Sequence, residues 1–150
     1  MSEVENITTS NTVAKLPLLA AVVALLGLSD AVYLTIHHLT GEMVPCSVTG
    51  GCETVLTSSY AEIGGIPLAA FGAVAYFIAF SLAILTAFGN RKMWLIFGIQ
   101  VSLMALTSLC LVYLQIFVIK AICQYCMVSA GVCFTLFIIA LISKFWKNKV

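Results

Sequence analysis

Two pairs of cysteines set the chemistry open to this chain. Cys123 and Cys126 stand three residues apart in Ala121-Ile122-Cys123-Gln124-Tyr125-Cys126-Met127-Val128, at the mouth of a strongly apolar segment. Thiols at i and i+3 share one helix face, close enough for a readily reduced disulfide, and a helix N-terminus stabilises a thiolate through its unpaired N–H groups and dipole. Such a pair can pass electrons as well as staple. Cys46 and Cys52 enclose Ser47-Val48-Thr49-Gly50-Gly51, whose glycines let the chain fold back, so a reversible disulfide is sterically feasible there too. Cys110 and Cys133 fall inside apolar segments and read as buried packing residues; Cys133, two turns below Cys126 on a similar face, would line the same cavity without reacting. The same thiols could instead hold a soft metal, with His37 and His38 approaching from the first apolar segment, although no further His or Cys lies close in sequence to Cys123 and Cys126. A structural membrane protein would use none of them.

The elements that must position these thiols are membrane helices. With 150 residues, 62% hydrophobic and 9% charged, the chain cannot fold as an ordinary soluble domain. The net charge of +1 does not point to nucleic acid, and no nucleic-acid partner is expected. The fold class expected is all-α integral membrane: a four-transmembrane-helix bundle with a long first extracytoplasmic loop. Residues 1–15 are polar, lack the basic start and cleavage site of a secretory signal, and read as a flexible cytoplasmic tail. Spans are expected at about 16–36, 67–88, 93–119 and 121–143, within a membrane domain of 16–143, and 144–150 forms a basic, aromatic cytoplasmic tail. Residues 37–66 form the redox loop, in which Val55, Leu56, Tyr60 and Ile63 suggest a short amphipathic segment over 53–63. Pro67 is placed as the first residue of the second span.

Charge sets the expected topology. Lys15, Arg91, Lys92, Lys144, Lys147 and Lys149 fall on one side of a four-span arrangement and Lys120 alone on the other, so both termini are cytoplasmic. The loop cysteines and the mouth of the fourth span then share the outer face, where disulfides persist. Asp30, inside the first span, costs roughly 2.5–3.5 kcal/mol if placed at a helix centre. Pairing near the outer interface and tuning of a nearby site are both open to it.

The ordered set Gly27-Leu28-Ser29-Asp30-Ala31-Val32-Tyr33-Leu34-Thr35-Ile36-His37, Cys46 with Cys52, Ser58-Ser59-Tyr60, Gly65-Ile66-Pro67 and Cys123-Gln124-Tyr125-Cys126 resembles the prokaryotic, DsbB-like branch of the vitamin K epoxide reductase family. The resemblance covers essentially the whole apolar chain. The DsbB family itself carries its Cys-x-x-Cys in the first outer loop and the wider pair in the second, the reverse of the order here. The resemblance implies a four-helix bundle holding a quinone (ubiquinone or menaquinone) near the outer helix ends, in a prokaryotic cytoplasmic membrane. It also implies a relay: Cys46 meets a secreted DsbA-like thioredoxin-fold protein, Cys52 exchanges with Cys123, and Cys126 faces the quinone. Ser58 matches a family hydroxyl position and would contact the quinone or a cysteine, or act as a turn residue. Many prokaryotic members continue into a fused thioredoxin-like domain, whereas this chain stops after the fourth span, so a separate partner is expected. Val128-Ser129-Ala130 stands where the animal enzymes carry Thr-Tyr-Ala, which disfavours epoxide reduction.

Overall fold

The computed structural model describes residues 2–48 and 50–148; of the side chains of residues 2–14 and 146–148 nothing is described. Helix α1 (Ser2–Thr40) is followed by a short α2 (Cys52–Leu56), a two-stranded hairpin of β1 (Glu62–Ile63) and β2 (Ile66–Pro67), α3 (Leu68–Ala87) and α4 (Arg91–Tyr113). A π-helical turn (Leu114–Ile119) extends α4, and α5 (Gln124–Asn148) closes the chain. Four helices are long and apolar enough to cross a membrane: Lys15–Thr40, Leu68–Ala87, Arg91–Ile119 and Gln124–Phe145. The expected four-helix membrane bundle is therefore the fold.

Lipid tails are as apolar as leucine, so helix association depends on close packing rather than on apolar burial. The α1 sequence meets that demand with a small-residue stripe, Ala20, Ala24, Gly27 and Ala31, all turned inward, while Leu18, Leu19, Val22, Leu25 and Leu26 stay exposed on the opposite face. The stripe packs against Tyr76, Ala79 and Ala83 of α3, the helix with which α1 makes its most extensive contact. A Cβ on Gly27 would collide with the Tyr76 ring, so only glycine admits that phenol between the helices. Phe97 and Val101 of α4 and Cys133, Leu136 and Ile139 of α5 complete the buried core.

Several boundaries differ from the sequence expectation. The first helix begins at Ser2, so the stretch expected as a flexible tail is helical. It runs to Thr40 rather than Ile36 because no breaker intervenes before Gly41, whose φ of 69° ends it. The amphipathic segment expected over 53–63 is helical only to Leu56. Gly64 and Gly65, with φ of 61° and 81°, turn the hairpin, pairing Ile63 with Ile66 and Glu62 with Pro67. Pro67 is consequently extended (ψ 137°) and caps α3 instead of entering it. At the fourth span, Lys120 in the left-handed region (φ 55°) ends the π turn, and α5 starts at Gln124 rather than Ala121. That helix also continues through 144–148, the first part of the expected tail; residues 149 and 150 lie outside the described residues.

Candidate functional site

The loop between α1 and α3 and the connection between α4 and α5 meet at one end of the bundle and bring the two cysteine pairs together. Cys46 and Cys52 are disulfide-bonded, with 5.9 Å between their Cα atoms, while Cys123 and Cys126 are free thiols. Cys52 opens α2 and is fully buried; Cys123 is fully buried in the same apolar cluster, with Val55, and Cys46 and Cys126 pack against it. Gly51 makes this approach possible. A Cβ there would stand 2.8 Å from the Ile122 carbonyl oxygen and 2.9 Å from its nitrogen.

The Cys-x-x-Cys stretch is not a run of helix. Cys123 precedes α5 and its carbonyl accepts the Met127 N–H at 3.0 Å, so it occupies the capping position, while the Cys126 N–H donates to Cys123 Sγ at 3.4 Å. The hydrogen bond with the Cys126 thiol, supported by the backbone N–H groups of Cys126 and Tyr125, brings the Cys123 thiol down from 9.0 to about 7. Burial and the charge of Asp30 act against this. A thiol so placed is about half ionised at neutral pH and ready for exchange.

The intervening residues also have tasks. Gln124 Oε1 accepts the Val48 N–H at 3.2 Å, and the Tyr125 hydroxyl donates to the Pro45 carbonyl at 3.1 Å, so the loop is held on both sides of Cys46. Tyr125 in turn lies against Tyr33 of α1, with ring centroids 5.5 Å apart. Gln115, 4% exposed, accepts the Cys123 N–H at 3.1 Å and so satisfies one of the donors left at the break before α5. His38 holds the hairpin through Glu62 at 2.8 Å. Sequence reasoning left these contacts unassigned, although a glutamine near the end of the third span and a Gln-Tyr pair inside the motif were visible signals.

Below the thiols lies a mostly apolar cavity of about 400 Å³, bordered by α1, α3, α4, α5 and the hairpin region. Cys126, Ser58, Gln115, Tyr76, Ser129 and Cys133 supply polar atoms to its wall. The Tyr76 hydroxyl donates to the Ser129 carbonyl at 2.7 Å and lies 2.9 Å from Ser129 Oγ and 3.0 Å from Cys133 Sγ. Ser58 donates to the Val55 carbonyl at 2.7 Å, a turn bond that coexists with its position on the cavity wall. Cys110, expected to be buried packing, is exposed on the bundle surface instead, because it shares the outward face of α4 with the exposed Leu103, Leu106 and Leu109. Among the described residues, no three His, Cys, Asp or Glu side chains converge as a metal site.

Comparison with known proteins agrees with this arrangement. The model for the vitamin K epoxide reductase family matches residues 18–141, which include all six cysteines and nearly all of the four apolar helices. A curated relative, the thiol-disulfide oxidoreductase LTO1 of Arabidopsis thaliana, is 32% identical over 120 residues, covering 74% of this chain and 32% of the relative. The chain thus spans about a third of the length of that relative. With the match running through the two cysteine pairs and the bundle that joins them, the chain belongs to the vitamin K epoxide reductase family.

Proposed function

We propose that this chain is a membrane thiol oxidoreductase that makes disulfides in proteins and passes the electrons to a membrane quinone, as a DsbB-like member of its family. The observation that carries the reading is the burial of Cys52 against Cys123, with Cys126 on the wall of the apolar cavity. A thiolate of a thioredoxin-fold protein attacks Cys46, and Cys52 leaves as a thiolate. The partner's second thiol then displaces Cys46, which completes the partner's disulfide and leaves Cys46 and Cys52 reduced. Cys52 next attacks Cys123 of an oxidised Cys123–Cys126 pair and releases Cys126; Cys46 closes on Cys52 and releases Cys123. The observed pattern, loop pair oxidised and inner pair reduced, corresponds to the end of that transfer.

The cavity fits a quinone: its volume suits a substituted ring with the start of a prenyl tail, its wall is apolar, and a few polar groups converge there. A bound ubiquinone or menaquinone supplies an acceptor for two electrons and two protons. Cys126, on the cavity wall, would face the quinone, and Ser58, on the same wall, would hydrogen-bond it in place of the Val55 carbonyl. The LTO1 name supports thiol-disulfide chemistry, and the excess of Lys and Arg at the opposite end of the bundle supports cytoplasmic termini with the cysteines on the outer face of the cytoplasmic membrane.

The test follows quinone absorbance on mixing the purified chain with a short-chain quinone and a reduced thioredoxin-fold protein. Multiple turnover is expected for the native chain and its loss for Ser at Cys46, Cys52, Cys123 or Cys126. With a small dithiol in place of the protein, Cys46→Ser should recover turnover, since the dithiol can attack the inner pair at Cys126, which is only partly buried. Unchanged quinone in the native reaction, or turnover surviving Cys126→Ser, would overturn the reading.

A further inference from the structure

Tyrosine aside, Gln115 is the only buried polar side chain among the described residues, and the relay gives it no task beyond one backbone contact. It lies in the π-helical turn Leu114–Ile119, a form that is rare and found mostly at functional sites. Its neighbours Ile116, Phe117 and Val118 are exposed on the bundle surface, whereas Gln115 turns inward to the wall of the cavity, which it shares with Cys126. An amide buried in such surroundings is costly unless its polar atoms find partners.

The bond to Cys123 settles which way the amide is turned. A backbone N–H can only donate, so the atom 3.1 Å from the Cys123 nitrogen is Oε1, and the two N–H groups of Nε2 stand at the other corner of the amide. Nε2 makes no hydrogen bond among the described residues. Asp30 Oδ2 is also without a partner among those residues but is sealed off; Nε2 is not sealed, and the open space that Gln115 meets is the cavity. On the same wall the hydroxyls of Ser58, Thr107 and Tyr76 already donate to backbone carbonyls. Ser108 and Gln100 line it about two and four turns earlier in α4, farther from the thiols. We infer that Gln115 is a quinone-binding residue: Oε1 holds the Cys123 backbone, and Nε2 donates to a carbonyl oxygen of a quinone in the cavity. One amide thus ties the thiol-bearing backbone to the ring. A quinone carbonyl can only accept, which suits a wall whose unused group is a donor. This inference deepens the quinone reading and rests on it.

The experiment loads the purified full chain with a short-chain ubiquinone, isotope-labelled at one ring carbonyl at a time, and records the infrared carbonyl bands of the bound form with no thiol substrate present. In the native chain at least one carbonyl should absorb at lower wavenumber than the free quinone in detergent, as a hydrogen-bonded carbonyl does. Gln115→Met keeps the length of the side chain and a weak acceptor for Cys123 but carries no donor. That band should return to its free position, and the quinone should bind about two- to tenfold more weakly. Gln115→Glu should restore the lowered band at acid pH, where the carboxyl group has a proton to donate, and lose it on ionisation. Ser58→Ala should leave the Gln115-dependent carbonyl shifted. Bound quinone with neither carbonyl shifted in the native chain overturns the inference without recourse to any variant. So do carbonyl bands that are the same in native and Gln115→Met chains while the alkylation rate of Cys123 changes, the mark of a role confined to the Cys123 backbone. Those outcomes leave the quinone reading standing; a native chain that binds no quinone overturns both.

Discussion

At the scale of single residues, the site turns on Cys123 being a cap rather than a helical residue. Its sulfur receives the Cys126 N–H and the hydrogen bond of the Cys126 thiol, and these bring it to about 7. Below that pH the sulfur is protonated and slow; above it the thiolate dominates and exchange reaches a plateau. The alkylation rate of Cys123, followed by peptide mass in a chain opened with mild denaturing detergent only as far as reagent access requires, should rise with a midpoint near 7. Cys126→Ala removes the largest stabilising contact and should move the midpoint up by about one pH unit, towards an ordinary thiol. A midpoint unmoved by that change would show that the backbone alone sets the acidity. The pair Gln124 and Tyr125 holds the loop by one hydrogen bond each, worth roughly 0.5–1.5 kcal/mol net. Gln124→Ala and Tyr125→Phe should each increase access of a bulky reductant to the Cys46–Cys52 bond about two- to tenfold. The motif was legible as Cys-x-x-Cys in the sequence, but its cap geometry was not, because the helix start depends on Lys120 adopting a left-handed conformation and on Gln115, eight residues away in the chain.

At the scale of elements, two glycines decide how closely segments approach. Gly51 lets the redox loop lie on the backbone of Ile122, and Gly51→Ala must push the loop back. A displacement of about 1 Å costs a reaction on the order of 100-fold, so internal transfer from the loop pair to the inner pair should slow by about that factor. Stopped-flow thiol trapping would show it, while reduction of the loop disulfide by a small dithiol should stay near native. Gly27→Ala drives a methyl into the Tyr76 ring and should cost about 1–3 kcal/mol, read as a lower thermal midpoint in micelles. The long apolar runs announced four helices plainly. The ends of those runs were harder to place, since Gly41, the Gly64-Gly65 turn and the π-helical end of α4 are set by φ values and side-chain bonds, not by hydropathy. The small-residue stripe of α1 was equally present in the sequence, but its use as the seam with α3 depends on Tyr76 filling the gap at Gly27.

At the scale of the whole molecule, the bundle places an oxidised pair, a reduced pair and an apolar cavity in sequence along one end. Convergence of the pairs was foreseen from the distribution of Lys and Arg, because four spans with one basic side require both cysteine segments on the other. Contact between Cys52 and Cys123 was foreseeable only through family resemblance, since spacing cannot tell which loop cysteine turns inward. The central claim is that electrons cross between the pairs through that contact. Its most direct test is to isolate the two sulfurs in a Cys46→Ala, Cys126→Ala chain, oxidise it mildly and map the disulfide by peptide mass. A Cys52–Cys123 bond in most molecules is the result predicted. Two alkylatable thiols, or bonding of Cys52 to Cys110 or Cys133, would contradict the relay.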